Sequence, residues 1–438
     1  MNQKYGKLLN TTEDIRWVQT EPFRFDFIKE SDGITEITPN GSFLEGITLN
    51  REQIYILMTR PIKMQKGVVH FNTDIVVVGD SVANEKLMGI ECKGGVLDLL
   101  FMPDRMKIDL SGNGEYEVEI KEDSVFQTVI IDGKKYTVEI FSSLHEKHGV
   151  RGHALINDQV TISVTVDGGI DMEDVIPIYN AIHKVCQFLT FRQNVRFDEV
   201  GLLFEERYED MVFGSSRAKL FSRDDFSATT EKKWIHCIPF VKMKEAFGNL
   251  FKTIYEEIEN KPFFSLDFLP KEDKDEGWIT PERIRSICTA LESEAMLQKL
   301  VAPENPEFES LIQSVKKVVS EHRKSNHALP QKTYDVISGS ISHWDFAAAD
   351  KMKALFHKYE DIVIQGRYFT DSVSKFEEGI DRIIKYRNRI THGSFMSTSQ
   401  EDANVAVNLI NLIYISRLDR LGMPRETIRE LIRRGVVY

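Results

Sequence analysis

The sequence predicts an α+β protein in which a β-rich domain (residues 1–240) precedes an all-α domain (residues 241–438). Three observations support this fold class. Short apolar runs typical of β-strands dominate the chain up to about residue 170. Beyond Pro239, apolar residues recur at the spacing of amphipathic helices. The length of 438 residues favours two or three domains rather than one core.

The β-rich half is expected to contain strands over 68–71, 74–78, 129–131, 135–141 and 160–166. Asp132 and Gly133 lie between two of these runs and indicate a tight hairpin turn. Residues 174–188 predict an amphipathic helix, because its apolar residues form one stripe: Ile176, Ile178, Ile182, Val185 and Leu189. Two further strands are expected around 200–204 and 211–213. The N-terminal half is therefore mostly β, with at least one helix.

The second half is expected to be helical, and the charged stretch 270–277 reads as a surface loop. Thr280 followed by Pro281 matches a helix N-cap with proline at the first helical position. The predicted helices cover 281–300, 306–325, 345–364, 371–392, 401–421 and 424–434.

The composition is that of a soluble globular protein, with 42% hydrophobic and 28% charged residues. No run of about 18 uncharged apolar residues occurs, and the polar start predicts no secretory signal. The four scattered cysteines form no CxxC pair, which predicts reduced thiols in a cytoplasmic protein. Neither a metal nor a cofactor is expected, and a GxxxxGK[ST] phosphate loop does not occur in the sequence.

The net charge of −12 is unevenly distributed. Residues 1–240 hold 27 Lys and Arg against 38 Asp and Glu, whereas residues 241–438 hold 29 against 30. The acidic half is poorly suited to bind polyanions, because phosphate affinity rests on cationic side chains. The second half clusters Arg382, Lys385, Arg387 and Arg389, so any contact with nucleic acid is expected there.

The strongest local motif is the stretch 385–393, which reads Lys-Tyr-Arg-Asn-Arg-Ile-Thr-His-Gly and ends a predicted helix. Asn388 and His392 are four residues apart and would project from one helical face. Arg387 and His392 are five apart, about 140° around an ideal helix. The helix would have to bend or end near Gly393 for these two side chains to converge.

An arginine and asparagine followed by a histidine five residues after the arginine resembles the R-x4-6-H motif of HEPN domains. The order of a β-rich domain and a helical domain with this late motif resembles the ApeA-like HEPN group. The resemblance in layout spans the chain, whereas the sharp match covers residues 387–393. It implies an all-α HEPN bundle, pairing of two subunits through that domain, and no metal.

The resemblance further implies an endoribonuclease of antiviral defence by abortive infection, with RNA as its substrate and a phage-derived trigger sensed by the N-terminal domain. His392 would act as general base or acid on the RNA 2′-hydroxyl. Arg387 would stabilise charge on the scissile phosphate, and Asn388 would orient the histidine or a phosphate oxygen. Lys385 and Arg389 would add contacts to the RNA phosphates.

Two non-enzymatic interpretations remain open. A histidine with nearby arginines at a helix end also serves to cap carbonyl groups and complement the helix dipole. A helical domain of this kind would also serve as a non-catalytic scaffold for dimerisation. A third alternative is a metal-dependent nuclease, because Glu91 and Lys93, with Asp74 and Asp80 upstream, resemble a D…E-x-K pattern.

Two weaker patterns are expected to be unrelated to catalysis. His145, His148 and His153 lack the i, i+4 histidine spacing of zinc proteases and are expected on an exposed loop. Phe213-Gly-Ser-Ser, followed by Asp224 and Asp225, loosely resembles minimal nucleotidyltransferases. Adjacent acids on a strand would point to opposite faces, which disfavours joint metal ligation.

Overall fold

The computed structural model describes residues 4–79, 86–101, 106–110, 116–120, 124–148, 154–208, 211–227, 237–260, 265–272, 275, 277–300, 306–325, 329–341, 348–391 and 397–435. The chain divides into two compact units. Unit 1 comprises Met1–Phe264 and Lys271–Asp273, and unit 2 comprises Ser265–Pro270 and Lys274–Tyr438. Unit 1 is built mainly from strands and unit 2 from helices, which confirms the α+β class and the order of its two parts.

The described strands all lie in unit 1, and every pairing between them is antiparallel. They are β1 (Tyr5–Leu8), β2 (Ile15–Glu21), β3 (Arg24–Lys29), β4 (Thr35–Ile37), β5 (Phe43–Thr48), β6 (Gln53–Leu57), β7 (Ile62–Met64), β8 (Gly67–Asn72), β9 (Ile75–Gly79), β10 (Leu87–Lys93), β11 (Met106–Leu110), β12 (Tyr116–Ile120), β13 (Val125–Ile131), β14 (Lys134–His148), β15 (Ala154–Val166), β16 (Glu199–Tyr208) and β17 (Met211–Ser222).

Thirteen of these strands form one sheet in the order β13-β14-β15-β10-β16-β17-β9-β6-β5-β1-β2-β3-β8. Alternating residues of its β1–β9 part bury Trp17, Phe25 and Phe27 completely, as expected for strands with one face in a core. The Thr73 amide donates to the carbonyl oxygen of Phe23 at 2.9 Å. This bond extends the pairing of β3 with β8 by one residue. Only Thr73 and Asp74 connect β8 to β9, although five strands separate these two in the sheet order, so this part of the sheet curls on itself.

The predicted hairpin is confirmed at Asp132 and Gly133, which connect β13 to β14. Both residues have positive φ, 48° and 78° respectively. A type I′ turn requires positive φ at both central residues, and its twist matches that of the flanking strands. An Asp-Gly pair is therefore the sequence that this connection favours.

Unit 1 also contains α1 (Val96–Phe101), α2 (Met172–Thr190), α3 (Arg223–Ser227), α4 (Phe240–Met243) and α5 (Phe247–Asn260). Helix α2 begins after Asp171, which forms a capping box with Asp174. Of its predicted apolar stripe, Ile176 is half-buried and the other four members are fully buried. Helix α5 packs against α2 and β13. Residues 241–260, which the sequence analysis assigned to the helical half, therefore belong to unit 1.

The helices of unit 2 are α6 (Pro281–Leu297), α7 (Pro306–Ser325), α8 (Gln331–Ile341), α9 (Ala348–Lys358), α10 (Glu360–Val363), α11 (Val373–Thr391), α12 (Gln400–Arg420) and α13 (Arg425–Arg433). The Thr280 hydroxyl accepts from the Arg283 amide at 3.2 Å, which confirms the predicted N-cap of α6. Prediction of one helix over 345–364 was wrong, because Tyr359 separates α9 from α10. No described helix has the length and apolar character needed to cross a membrane.

Helices α6 and α12 are joined by a fully buried ion pair. Glu294 accepts from the Arg417 Nε at 2.9 Å and from the Ser416 hydroxyl at 3.1 Å. The Arg417 guanidinium also lies over the Phe268 ring and donates to the carbonyl oxygen of Ser265. A buried charge is tolerated only when such partners replace its water, so this cluster fixes α6 against α12.

Candidate functional site

Helix α11 carries the motif and is held by one apolar face. Phe376, Ile380, Ile383 and Tyr386 are buried at the three- and four-residue spacing of a helix. Gly379 lies on the same face, where an added Cβ would sit 2.6 Å from Val405 of α12. The two helices can approach this closely only because residue 379 has no side chain.

The opposite face of α11 presents the polar part of the motif. Lys385, Asn388 and Arg389 are exposed and lie three and four residues apart, which places them on one side of the helix. This face therefore offers two cations and an amide to solvent. The three residues that the sequence analysis assigned to phosphate contact and orientation are thus close together.

Arg387 lies between these two faces and is tied to another helix. Its position continues the stripe of Ile380 and Ile383, so its side chain is only 24% exposed. The Nη2 group donates to Glu292 Oε1 of α6. Its Nε is buried and has no hydrogen-bond partner among the described residues. The guanidinium is therefore oriented by Glu292 and retains donor capacity.

Cys288 lies one helical turn before Glu292 and lines the same side of α6. Burial is the largest influence on this thiol and raises its pKa to about 12, although the Arg387 guanidinium favours the thiolate. Cys288 is therefore a neutral thiol at physiological pH and is unsuited to act as a nucleophile.

Helix α6 presents different acids to α11 and α12. Glu292 contacts Arg387, whereas Glu294, two residues later and about 200° around the helix, forms the buried pair with Arg417. The buried pair fixes the position of α6, and this in turn fixes the carboxylate that orients Arg387. Glu292 could not be found from the sequence alone, because it is 95 residues from Arg387 and carries no motif of its own.

The remaining cation of the cluster has a structural role. Arg382 donates to Glu401 at 2.7 Å and to Asp402 at 3.3 Å at the start of α12.

His392 and Gly393 lie outside the described residues, as does the bend or helix end expected there. The last residue of α11 is Thr391, whose hydroxyl donates to the carbonyl oxygen of Arg387 at 2.9 Å.

Most apolar residues of α12 are buried within the chain and are therefore not available to a subunit interface. Val405, Leu409, Ile410 and Ile413 are buried within the single chain, and Val407 is half-buried. Large apolar side chains are exposed instead on the hairpin of α7 and α8. Its members with the largest exposed fractions are Leu311 (55%), Val318 (65%) and Val336 (61%).

The alternative nuclease residues do not assemble around Glu91. Glu91 and Lys93 of β10 form an ion pair at 2.7 Å. Asp74 adjoins β9, which is three strands away in the sheet, roughly 14 Å at the usual strand spacing. Asp74 pairs with Arg223 instead, and Asp80 lies outside the described residues. No group of three potential metal ligands occurs in the described part of the chain.

Two other expectations are corrected. His145 and His148 belong to strand β14 rather than to a loop, and their backbones pair with Asn157 and Ala154; His153 lies outside the described residues. Asp224 and Asp225 belong to helix α3 rather than to a strand.

Comparison with protein-family models gives no match for this chain. The search of curated proteins likewise finds no match.

Proposed function

We propose that the protein is a metal-independent endoribonuclease whose site is formed by Arg387, Asn388 and His392. The observation that carries the proposal is the arrangement on α11, where a carboxylate-oriented arginine lies beside an exposed face of Lys385, Asn388 and Arg389. Such a face suits an RNA strand, since cations neutralise phosphates and an amide both donates and accepts hydrogen bonds.

In the proposed reaction, His392 removes the proton from a ribose 2′-hydroxyl, and the 2′-oxygen attacks the adjacent phosphorus. The bond from phosphorus to the 5′-oxygen breaks, and that oxygen takes up a proton from an acid. Arg387 donates to the non-bridging oxygens, where negative charge accumulates in the transition state. The products are a 2′,3′-cyclic phosphate and a 5′-hydroxyl, so neither water nor a metal enters the first step.

Assembly of two subunits is part of the proposal, because paired motifs would supply a base and an acid from different chains. The exposed apolar stripe of α7 and α8 supports this assembly. Helix α7 has Glu307 and Glu309 in its first turn and Arg323 and Lys324 in its last turn. A second copy in antiparallel orientation would place opposite charges near each other at both ends, and this reciprocal arrangement is that of a two-fold contact.

A role in abortive-infection defence is proposed with the nuclease, in which RNA cleavage would harm the infected cell. In this proposal unit 1 restrains the helical unit until a phage-derived trigger is present.

One observation favours a non-catalytic scaffold as the second candidate. Arg387 is engaged by Glu292 within its own unit, which is sufficient to explain an arginine at this position without any substrate. In that case the motif would stabilise the contact between α6 and α11 and would have no part in chemistry.

Cleavage of RNA in excess EDTA distinguishes these candidates. We expect wild-type protein to leave 2′,3′-cyclic phosphate ends and to spare DNA, which lacks the nucleophile. His392→Ala should abolish cleavage and toxicity while thermal stability is retained, and Arg387→Lys should be severely impaired because the planar fork is lost. Thr391→Ala, next to the histidine, is the matched control and should remain active.

Three results would refute the assignment of the site. Full activity of His392→Ala excludes that histidine from the chemistry. Cleavage that EDTA stops and Mg²⁺ restores would favour the Glu91 and Lys93 alternative. A folded dimer without ribonuclease activity in any cellular RNA preparation would favour the scaffold.

A further inference from the structure

Unit 1 contains a cavity of about 510 Å³ where the curled part of the sheet meets β16 and β17. Five separate segments line it: Lys4 just before β1, the end of β2 with the β2–β3 turn, β9, residues 196–200, and the end of β17 with α3. Its volume lies within the range of sites for small organic ligands, which runs from about 300 to 1,000 Å³. It belongs to unit 1 alone, so its interpretation is independent of the site on α11.

The lining is largely apolar and includes three aromatic side chains. Phe23 and Phe197 are buried, whereas Phe221 is 37% exposed. Val76 and Leu220 extend the apolar surface. Flat aromatic walls favour a ligand with a planar body, because such a body stacks against rings at little entropic cost.

Asp225 is the acid that distinguishes this cavity. Its Oδ2 accepts from the Tyr179 hydroxyl at 2.7 Å, and its Oδ1 accepts from the Phe197 amide at 3.0 Å. A carboxylate has about four acceptor positions, so about two remain for a ligand. Among the described residues, no lysine or arginine forms an ion pair with Asp225.

The cations around the cavity are compensated, unlike this carboxylate. Lys4 pairs with Glu52 at 3.3 Å and Lys219 pairs with Glu199 at 2.8 Å. Arg196 lies 3.6 Å from Asp198. An anionic ligand would therefore have to displace existing partners, whereas a cationic or hydrogen-bond-donating ligand would meet an acceptor that lacks a cation.

From these contacts we infer that the cavity binds a small planar molecule carrying paired N–H donors, an amidine, guanidine or amino-heterocycle, with Asp225 as its acceptor. Two parallel N–H groups match the two oxygens of a carboxylate and give both orientation and affinity. The aromatic side chains hold the planar body, and the charged side chains that also line the cavity suit a polar substituent.

The electrostatics of Asp225 set the pH dependence expected for this binding. Burial raises the pKa of Asp225, while His183 and the hydrogen bonds from Phe197 and Tyr179 oppose that rise. Burial lowers the pKa of His183, so this imidazole is neutral near pH 7 and does not compensate the carboxylate. Acidic neighbours also act on the carboxyl group, since the charge of Asp224 raises its pKa. Binding of a cation should therefore weaken as pH falls and Asp225 becomes protonated.

Isothermal titration of the full chain with benzamidine tests the inference, with benzoate as an anion of the same size and shape. We expect benzamidine to bind and benzoate not to bind. Asp225→Asn should weaken benzamidine by about 10- to 100-fold, since a charged hydrogen bond is lost. Glu199→Gln removes an equal charge from the rim and should change affinity less than about 2-fold.

A second variant separates loss of the site from loss of the fold. Val78→Phe fills the cavity without touching Asp225 and should also abolish binding while circular dichroism stays unchanged. Displacement of bound benzamidine by guanosine indicates a heterocyclic ligand, and displacement by agmatine indicates an aliphatic guanidine. The inference is overturned if benzamidine does not bind, if Asp225→Asn or Val78→Phe binds it equally well, or if neither compound displaces it.

Discussion

Removal of the Glu292 charge is the sharpest test of how the motif arginine works. Glu292→Gln keeps the length of the side chain and an oxygen that accepts from Arg387 Nη2. It removes a negative charge that would lie roughly 6 Å from a phosphate bound on the other side of the guanidinium. We therefore expect this variant to bind RNA more tightly than wild type does.

The size of the effect follows from Coulomb's law. Two unit charges about 6 Å apart interact by about 0.7 kcal/mol in water and by about 2.8 kcal/mol at an effective dielectric constant of 20. The RNA dissociation constant should therefore fall by about 3-fold to about 100-fold. Stability should change by no more than about 1 kcal/mol, because this pair is partly exposed to solvent.

Fluorescence anisotropy with a 2′-O-methylated RNA measures binding alone, since the nucleophile is blocked. Glu401→Gln is the matched control, because Glu401 of α12 pairs with Arg382, which lies about one and a half turns from Arg387 on α11. Because the Debye length is about 8 Å at physiological salt, Glu401→Gln should change RNA affinity by less than about 2-fold. Unchanged RNA affinity in both Glu292→Gln and Arg387→Ala would refute phosphate binding by Arg387.

Two further predictions concern assembly and packing. Light scattering should give at least a dimer. Val318→Lys on the exposed stripe of α7 should reduce both dimerisation and cleavage, whereas Lys317→Ser should reduce neither. An active monomer would contradict a site shared between chains. Gly379→Ala should lower the free energy of unfolding in urea by up to about 2 kcal/mol, because overpacking against Val405 outweighs the gain in helix propensity. Gly339→Ala in α8 meets no atom of the described residues within 4 Å and should stabilise by up to about 1 kcal/mol, so equal effects of the two changes would refute the packing argument.

Elements with strong local signals were predictable from sequence. The Asp132-Gly133 turn, the N-cap at Thr280 and the bounds of α7 depend on residues within a few positions of each other. The break at Tyr359 was not predictable in this way, because apolar spacing continues through it. Tyr359 is held there by long-range hydrogen bonds to Asp419 and Gln298.

The candidate site shows the same division. The spacing of Lys385, Asn388 and Arg389 was sufficient to place them on one face of a helix. The Glu292 contact could not be read from sequence, since the position of α6 depends on the buried pair of Glu294 and Arg417. That pair joins residues 123 apart in the chain. Local spacing therefore predicts which side chains share a surface, whereas tertiary packing decides which of them carry a compensated charge.

Charge compensation in turn limits how the proposed nuclease could hold RNA. Of the four clustered cations, Arg382 binds acids of α12 and Arg387 binds Glu292, so one chain offers few cations to an RNA strand. Neutralising few phosphates releases few counterions, so one chain would bind RNA weakly. Two chains would double the number of phosphate contacts on one strand. In the proposed nuclease, pairing of subunits would therefore increase RNA affinity as well as supply a second acid or base.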